Sequence, residues 1–298
     1  MIDPLASNII TNQKPTMPAL AILGMHRSYT SLTARWLAAC GIDIGNRLLS
    51  GDTGNSDGHF EDLDFYRFHR KVLISHGLPG NGMVNLATPQ FLTECYSTLS
   101  IADELAREGR ELLAAKHSTS QQWAWKEPRT CLMLEFYRRE LDLRSLVLVR
   151  PYQEVVSSLV ERELRWLEKY RYVGMRRPYY LITGKFIRRR IDDLRHGFLE
   201  AWIFYNRSLL AHLRASNPEH FIVADLQTLL KENDEILAKV QEWGFEIKHQ
   251  TFADFYRPAQ LRQENRFDPD VIERAELVTA EFNRLLTPST RPSICGNA

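Results

Sequence analysis

Residues 19–31 read ALAILGMHRSYTS, so a short apolar run stands directly before a turn and a helix start. Residues 19–23 have the length and the unbroken apolar character of a strand that is buried on both faces. The residues that follow predict a helix over 30–40, which Gly41 can end. A strand, a turn and a helix in this order are typical of an α/β protein with a parallel sheet.

The same alternation continues along the rest of the chain. Short apolar runs predict further strands over residues 123–126, 145–149 and 220–224. Helical patterns cover residues 62–76, 89–97, 101–116, 130–141 and 233–243, and a long helix opens at Pro151. Asp62 or Asp64 can cap the first of these helices, and Thr130 the fourth. We therefore expect an α/β fold of three layers, with a central parallel sheet flanked by helices. Ligands of such folds bind beyond the carboxyl ends of the strands.

Composition limits the class of protein. The chain has 298 residues, of which 44% are apolar and 25% charged, as in an ordinary globular protein, which excludes a collagen-like or mostly disordered chain. With 38 basic and 37 acidic residues, its net charge of +1 predicts no nucleic-acid partner. Four separated cysteines without a CxxC pair, no signal-peptide pattern and no long apolar run predict a cytoplasmic enzyme without a transmembrane segment. We expect one domain over residues 17–290, a polar leader over 1–16 and a tail over 291–298.

The turn after the first strand, residues 24–31, reads GMHRSYTS. Backbone N–H groups at a helix N-terminus form an anion site, and the guanidinium of Arg27 can grip a phosphate with two parallel hydrogen bonds. The hydroxyls of Ser28, Thr30 and Ser31 add donors. The turn is not a Walker A loop, because that pattern requires Gly-Lys where Tyr29 and Thr30 stand. The alternative is an ordinary turn with a Ser or Thr N-cap.

Two later segments place basic side chains where predicted strands end. Residues 145–151 read SLVLVRP, and Ser158 follows Arg150 by about two helical turns, so the two side chains could share one anion. Residues 123–130 read WAWKEPRT and put Lys126 at a strand end. Each segment alone has an ordinary interpretation: Arg150 as a solvated cap or half of a salt bridge, and Lys126 as a surface lysine beside core tryptophans.

Together with GHFED at residues 58–62, these segments resemble the sulfotransferases that use 3′-phosphoadenosine 5′-phosphosulfate (PAPS). The resemblance is closest to a bacterial branch with the patterns GMHRSGTS, G-[FHY]-F-E-D and W-x-W-K-[DE]-P-R and a strand that ends in V-R. It covers residues 19–160 well and extends loosely to about 245. It implies a P-loop-like fold and transfer of a sulfuryl group from PAPS to a hydroxyl or amine of a small-molecule, glycan or lipid acceptor. The other product is 3′-phosphoadenosine 5′-phosphate (PAP).

The resemblance also implies which residues hold the cofactor. The 5′-phosphosulfate would contact Gly24, His26, Arg27, Ser28, Tyr29, Thr30 and Ser31, and the 3′-phosphate would contact Arg150 and Ser158. The chain departs from the family pattern at Tyr29, where the family has a glycine that gives the loop backbone freedom. A tyrosine there requires either a different loop path or weaker cofactor binding.

For the base that takes the acceptor's proton, the resemblance favours Glu61, because other branches have a glutamate between the two phosphate motifs. His59 is the alternative, since residues 59 and 61 of an extended segment face the same way, and a structural role for both is a third. Lys126 matches the lysine that neutralises the leaving oxygen. Arg129 is left open, as a site residue or as a structural partner of Glu127 or Asp62.

Other functions stay open at this point. A P-loop phosphotransferase that uses Mg-ATP is one, although Gly-Lys is missing, and a catalytically inactive module that binds PAPS or PAP is another. No His or Asp cluster has metal-ligand spacing, so we expect no metal. Residues 161–200 are rich in Arg and Tyr, which is typical either of a solvated helical face or of an acceptor-side lid for an anionic or sugar-containing substrate.

Overall fold

The computed structural model describes residues 18–51, 58–82, 99–120, 122–171, 184–258 and 267–286. In this part of the chain a central sheet contains the parallel strands β1 (Ala19–Leu23), β2 (Ala124–Lys126), β3 (Leu143–Leu148) and β4 (Phe221–Ala224). The strand order is β2-β1-β3-β4. Helices cover both faces of the sheet, so the predicted fold class is confirmed.

The described helices are α1 (Thr30–Ala39), α2 (Leu63–Ser75), α3 (Asp103–Thr119), α4 (Leu134–Glu140), α5 (Tyr152–Arg171), α6 (Gly184–Arg214), α7 (Leu226–Lys231), α8 (Asn233–Glu242) and α9 (Pro269–Leu286). Short 3₁₀ turns occupy Pro128–Leu132, Pro218–His220 and Phe252–Asp254. None of the helices in these ranges is long and apolar enough to cross a membrane.

The central strand β1 explains the three layers. Its side chains alternate between the faces: Ala19, Ala21 and Leu23 pack into a core with α2–α6 and α9, whereas Leu20 and Ile22 pack into a second core with α1, α7 and α8. A strand with both faces buried must be apolar at every position, which is why no polar residue interrupts it.

Several predicted boundaries need adjustment. The helix predicted over 130–141 is present as α4 but starts later, at Leu134, because a 3₁₀ turn, Pro128–Leu132, precedes it. Thr130 does not cap that helix, because its Oγ1 accepts a hydrogen bond from Trp125 Nε1 at 3.1 Å and the side chain is buried. Asp62, one of two predicted caps, does cap α2 by accepting from two backbone N–H groups.

Some predicted segments lie outside the described residues, and some observed helices were not predicted. The predicted helix over 89–97, the leader and the tail lie outside the described residues. The single domain over 17–290 stays a prediction. Helices α6, α7 and α9 were not predicted as elements.

The topology creates a crevice at one edge of the sheet. From β1 the chain passes to β2 on one side, and then crosses β1 to reach β3 on the other. Such a switch point leaves room for a ligand beyond the carboxyl ends of the strands. The turn 24–31, Lys126 and Arg150 all lie at this edge.

Candidate functional site

Gly24 brings the turn after β1 close to β3. A β-carbon at this position would lie 2.9 Å from the carbonyl oxygen of Leu148, and its φ of +152° is one that side chains disfavour. The Gly24 N–H donates to Cys131 Sγ at 3.3 Å. Glycine is therefore required here for close approach of two backbones.

Two non-glycine residues of the turn have left-handed backbone conformations. Arg27 has φ 69° and Tyr29 has φ 63° and ψ 5°. Tyr29 thus adopts the conformation in which glycine is favoured, at a cost of about 1–2 kcal/mol. Turns of this kind aim successive N–H groups into a concavity that binds anions, and strained backbone tends to occur at functional sites.

A cavity of about 750 Å³ lies beside this turn. Most of the predicted site residues line it: His26, Arg27, Tyr29, Thr30, Ser31, His59, Glu61, Lys126, Arg150 and Ser158. Gly24 and Ser28 belong to the same turn but are not part of the cavity wall, and Ser28 is buried. The predicted residues therefore converge on one cavity.

The side chains at one end of the cavity centre on Arg150. Its Nε donates to Glu154 Oε2 at 2.9 Å and its Nη1 to the carbonyl of Arg27 at 2.6 Å. The Tyr29 ring lies under the guanidinium at 4.4 Å, and the Tyr29 hydroxyl donates to the same Glu154 oxygen at 3.2 Å. Ser158 accepts from Arg27 Nε at 2.8 Å. We call these five residues the Arg150 end.

Burial raises the pKa of Tyr29 to about 12, with Arg150 opposing the rise and Glu154 adding to it. The hydroxyl therefore stays protonated at neutral pH and acts as a donor. The Tyr29 ring can therefore contact the Arg150 guanidinium while its hydroxyl donates to the Glu154 carboxylate.

The opposite end of the cavity contains Lys126. Its Nζ donates to Glu61 Oε1 at 2.9 Å and to the carbonyl of His59 at 3.0 Å. Arg129 Nη2 lies 3.8 Å from Glu61 Oε2. Phe60 has φ 52°, so the segment is not extended as predicted, yet both His59 and Glu61 line the cavity. These contacts fix Lys126 between a carboxylate and a carbonyl.

Arg129 connects this end to the protein interior. Its Nη1 donates to Glu127 Oε1 at 2.6 Å, and the other Glu127 oxygen pairs with His69 Nδ1. The Tyr137 hydroxyl lies 2.6 Å from His69 Nε2. Of the two structural partners left open for Arg129, the structure pairs it with Glu127, whereas Asp62 pairs with Lys116.

All side chains of this network are nearly or fully buried: Lys126, Glu61, Arg129, Glu127, His69 and Tyr137. We call them the Lys126 end. Burial opposes ionisation of Glu127, but Arg129, then His69 and Lys126, hold its pKa below the ordinary value. Burial, assisted by Glu127, raises the pKa of Tyr137 well above its ordinary value. The network therefore holds an ionised carboxylate beside Arg129 and a protonated Tyr137.

Several wall residues were not found from the sequence. Arg162 lies one helical turn beyond Ser158 and Arg165 nearly two, a spacing that could have pointed to them. Tyr256, which meets the Tyr29 ring edge to face at 6.5 Å, and Arg257 carry no motif. Most of the basic segment 161–200 falls outside the described side chains.

Metal ligands were not expected. In the described ranges, no three His, Cys, Asp or Glu side chains are grouped so that they could hold a metal ion. The absence of a metal from the reaction stays a prediction.

No protein-family model matches the chain, and no curated protein matches it. Among solved structures, a sulfotransferase from Mycobacterium avium is similar with a TM-score of 0.52 and 15% identity, over 91% of this chain and 77% of that one. The sulfotransferase domain of the Synechococcus olefin synthase has a TM-score of 0.44 at 15% identity, over 93% and 90% of the two chains. That of the curacin biosynthetic pathway has 0.44 at 15%, over 94% and 95%.

The similarity to the Mycobacterium avium protein concerns the fold. At 15% identity it shows that the parallel sheet and its helices are arranged as in a P-loop-like sulfotransferase fold. A fold of this kind does not determine the function, which depends on the side chains of the cavity.

Proposed function

We propose that the protein is a sulfotransferase that uses PAPS and transfers the sulfuryl group to a hydroxyl or amine of a small-molecule, glycan or lipid acceptor. The observation that supports this most is that two groups of side chains and N–H groups suited to phosphate line one cavity. The turn 24–31 forms one of them, and Arg150 with Ser158 forms the other. A donor with phosphates at both its 5′ and 3′ positions needs two such regions.

The chemistry of the cavity fits this donor. Arg27, Lys126, Arg129 and Arg150 contribute cations to its wall, and hydroxyls and backbone N–H groups of the turn contribute neutral donors. A volume of about 750 Å³ is within the range of sites that bind molecules of this size. When bound, PAPS supplies an activated sulfuryl group with phosphate as the leaving group.

The contacts at the Arg150 end support a role in holding the 3′-phosphate. Arg150 is placed by Glu154, by the carbonyl of Arg27 and by the Tyr29 ring. Ser158 accepts a hydrogen bond from Arg27 Nε, so the two proposed anion regions adjoin at this pair. To bind a phosphate, Arg150 would have to release its ion pair with Glu154, which is partly exposed.

At the Lys126 end we assign Lys126 to neutralising the leaving oxygen. Fixed cations of this kind stabilise charge that develops in a transition state without reorganisation. Glu61 and His59 stay candidates for the base. The contacts favour a positioning role for both, because Glu61 faces Lys126 and Arg129 and the His59 carbonyl holds Lys126.

Binding of three nucleotides tests the proposal. Calorimetry with PAP, adenosine 5′-phosphate and Mg-ATP should give the tightest binding for PAP, by at least about tenfold over adenosine 5′-phosphate. Preference for Mg-ATP would support a phosphotransferase instead. No binding of any of them would overturn the assignment.

A transfer assay distinguishes an enzyme from an inactive module. Labelled PAPS is incubated with separate panels of sugars, lipids and phenols, and transfer of label to one panel identifies the acceptor class. PAP binding without transfer to any panel would favour the inactive module.

A further inference from the structure

His26 lies in the turn between β1 and α1, on the wall of the cavity. Its Nε2 atom is shielded from solvent and has no hydrogen-bond partner among the residues that the structure describes. The Tyr205 ring meets the imidazole edge to face at 6.0 Å and limits its movement. Buried polar atoms nearly always have a partner, so an unpartnered one in a cavity wall points to a group supplied by a ligand.

The groups that face His26 are mainly cations. Burial, and then Arg129, Arg162, Lys126 and His59, lower the pKa of His26 well below its ordinary value of 6.5. The ring is therefore neutral near pH 7 and keeps a lone pair on one nitrogen. Nε2 can accept a hydrogen bond from a hydroxyl, which no cation of the wall can do.

Glu61 is less suited to take a proton. Its Oε1 accepts from Lys126 at 2.9 Å and its Oε2 lies 3.8 Å from Arg129 Nη2, so both oxygens face cations. The carboxylate also holds Lys126 in position, and protonation would weaken that contact. His26 has no such ion pair to lose.

We propose that Nε2 of His26 is the proton acceptor of the transfer reaction, a role that rests on the sulfotransferase function proposed above. In this step the acceptor oxygen bonds to sulfur, and the bond between sulfur and the phosphate oxygen breaks with its electron pair left on that oxygen. The acceptor's proton passes to Nε2.

The same geometry couples this role to the donor. Phosphate groups that enter the cavity bring negative charge among Arg129, Arg162 and Lys126 and offset their effect on the ring. The anion therefore raises the pKa of His26 by offsetting the cations, whereas burial continues to lower it. By linkage, PAP and a proton on His26 stabilise each other's binding, so PAP affinity rises as pH falls through the bound-state pKa of His26.

The experiment follows His26 by NMR in protein with labelled histidines, with and without saturating PAP. His26→Gln and His26→Asn each assign the signal by its loss. We expect the imidazole to titrate at least about one pH unit higher with PAP than without. His249→Gln, which removes an exposed histidine outside the cavity wall, is the control and should leave this shift in place.

Calorimetry from about pH 8 down through the bound-state pKa of His26, as located by NMR, gives the second readout. PAP affinity of the wild type should rise on acidification by about threefold or more beyond that of His26→Gln, since the variant keeps only the titration of PAP itself. PAP binding with an unshifted His26 signal would overturn this inference alone. Failure of PAP to bind would overturn the sulfotransferase proposal and this inference with it.

Discussion

The two ends of the cavity use similar residues in different surroundings. At the Lys126 end the buried cations Lys126 and Arg129 face the buried carboxylates of Glu61 and Glu127, and His69 contacts Glu127. At the Arg150 end the pair Arg150–Glu154 is partly exposed, and its carboxylate is 29% exposed. Buried pairs are costly to break, whereas exposed pairs contribute little and can be exchanged. We infer that the Lys126 end fixes geometry and that the Arg150 end exchanges partners with a ligand.

The largest expected effect is on stability at the Lys126 end. Glu127→Gln leaves Arg129 and His69 buried without their carboxylate and should lower the free energy of unfolding by about 3–5 kcal/mol. The same change at the other end, Glu154→Gln, should cost less than about 1 kcal/mol, because the Glu154 carboxylate reaches solvent and the amide oxygen of Gln can still accept from Arg150. Urea denaturation measures both. Equal losses would show that the two ends do not differ as described.

Acidification should reduce the contribution of Glu127 to the free energy of unfolding. The pKa of Glu127 is below its ordinary value in the folded protein, so its contribution is present above about pH 4.5 and is lost as pH falls through the folded-state pKa. The stability gap between wild type and Glu127→Gln should therefore narrow between about pH 7 and pH 3. A gap that stays constant or widens on acidification contradicts an ionised Glu127.

The next effect concerns specificity at the Arg150 end. Arg150→Ala should remove the preference for PAP over adenosine 5′-phosphate, because each charge-assisted hydrogen bond to the 3′-phosphate is worth about 1.5–3 kcal/mol. Arg47→Ala, which removes an exposed cation paired with Asp64, is the control and should keep the preference. Calorimetric dissociation constants for the two nucleotides decide the outcome. A preference that survives Arg150→Ala would place the 3′-phosphate elsewhere.

A smaller effect is expected at Tyr29. Tyr29→Gly relieves the left-handed backbone strain but removes the ring from beneath Arg150, a contact worth about 0.5–2 kcal/mol. PAP affinity should fall by about two- to fivefold, whereas Tyr29→Phe keeps the ring and should stay within about twofold. Titration of both variants with PAP measures this. Much tighter binding by Tyr29→Gly would mean that the ring obstructs the site.

The smallest effect is expected from the carboxylate that Arg150 contacts. Glu154→Gln should strengthen PAP binding by about two- to threefold, and less at high salt, because it removes a negative charge next to the 3′-phosphate region. Glu242→Gln removes an exposed charge outside the cavity wall and should have no effect. Weaker PAP binding by Glu154→Gln would assign Glu154 a supporting role instead.

The fold could be predicted from the sequence because its strands are apolar on both faces. The run at residues 19–23 and the strand–helix alternation define a parallel sheet without knowledge of any contact. The start of α4 could not be predicted, since it depends on Thr130 packing against Trp125 instead of capping a helix. Helix α6 mixes basic and apolar residues, and its pattern did not separate it from a solvated segment.

The candidate site, like the fold, could be predicted only in part from the sequence. The turn 24–31, Lys126 and Arg150 follow strands, and the carboxyl ends of parallel strands meet at one edge, so their convergence follows from their positions. The contacts of His69 with Glu127 and Tyr137 join separate elements that no local pattern links. The support that the Tyr29 ring gives to Arg150 depends equally on tertiary contact.

The central position of β1 has a consequence for synthesis. Ala19 pairs with Leu143 in the sheet, and Leu20 pairs with Ala124, so both neighbours of β1 leave the ribosome long after it does. At about 5–20 residues per second this delay is on the order of ten seconds, during which an apolar segment has no partner strand. The turn that begins at Gly24 takes its shape against Leu148, so it is completed late in folding. A nascent chain therefore exposes a segment prone to aggregation before it can bind any anion.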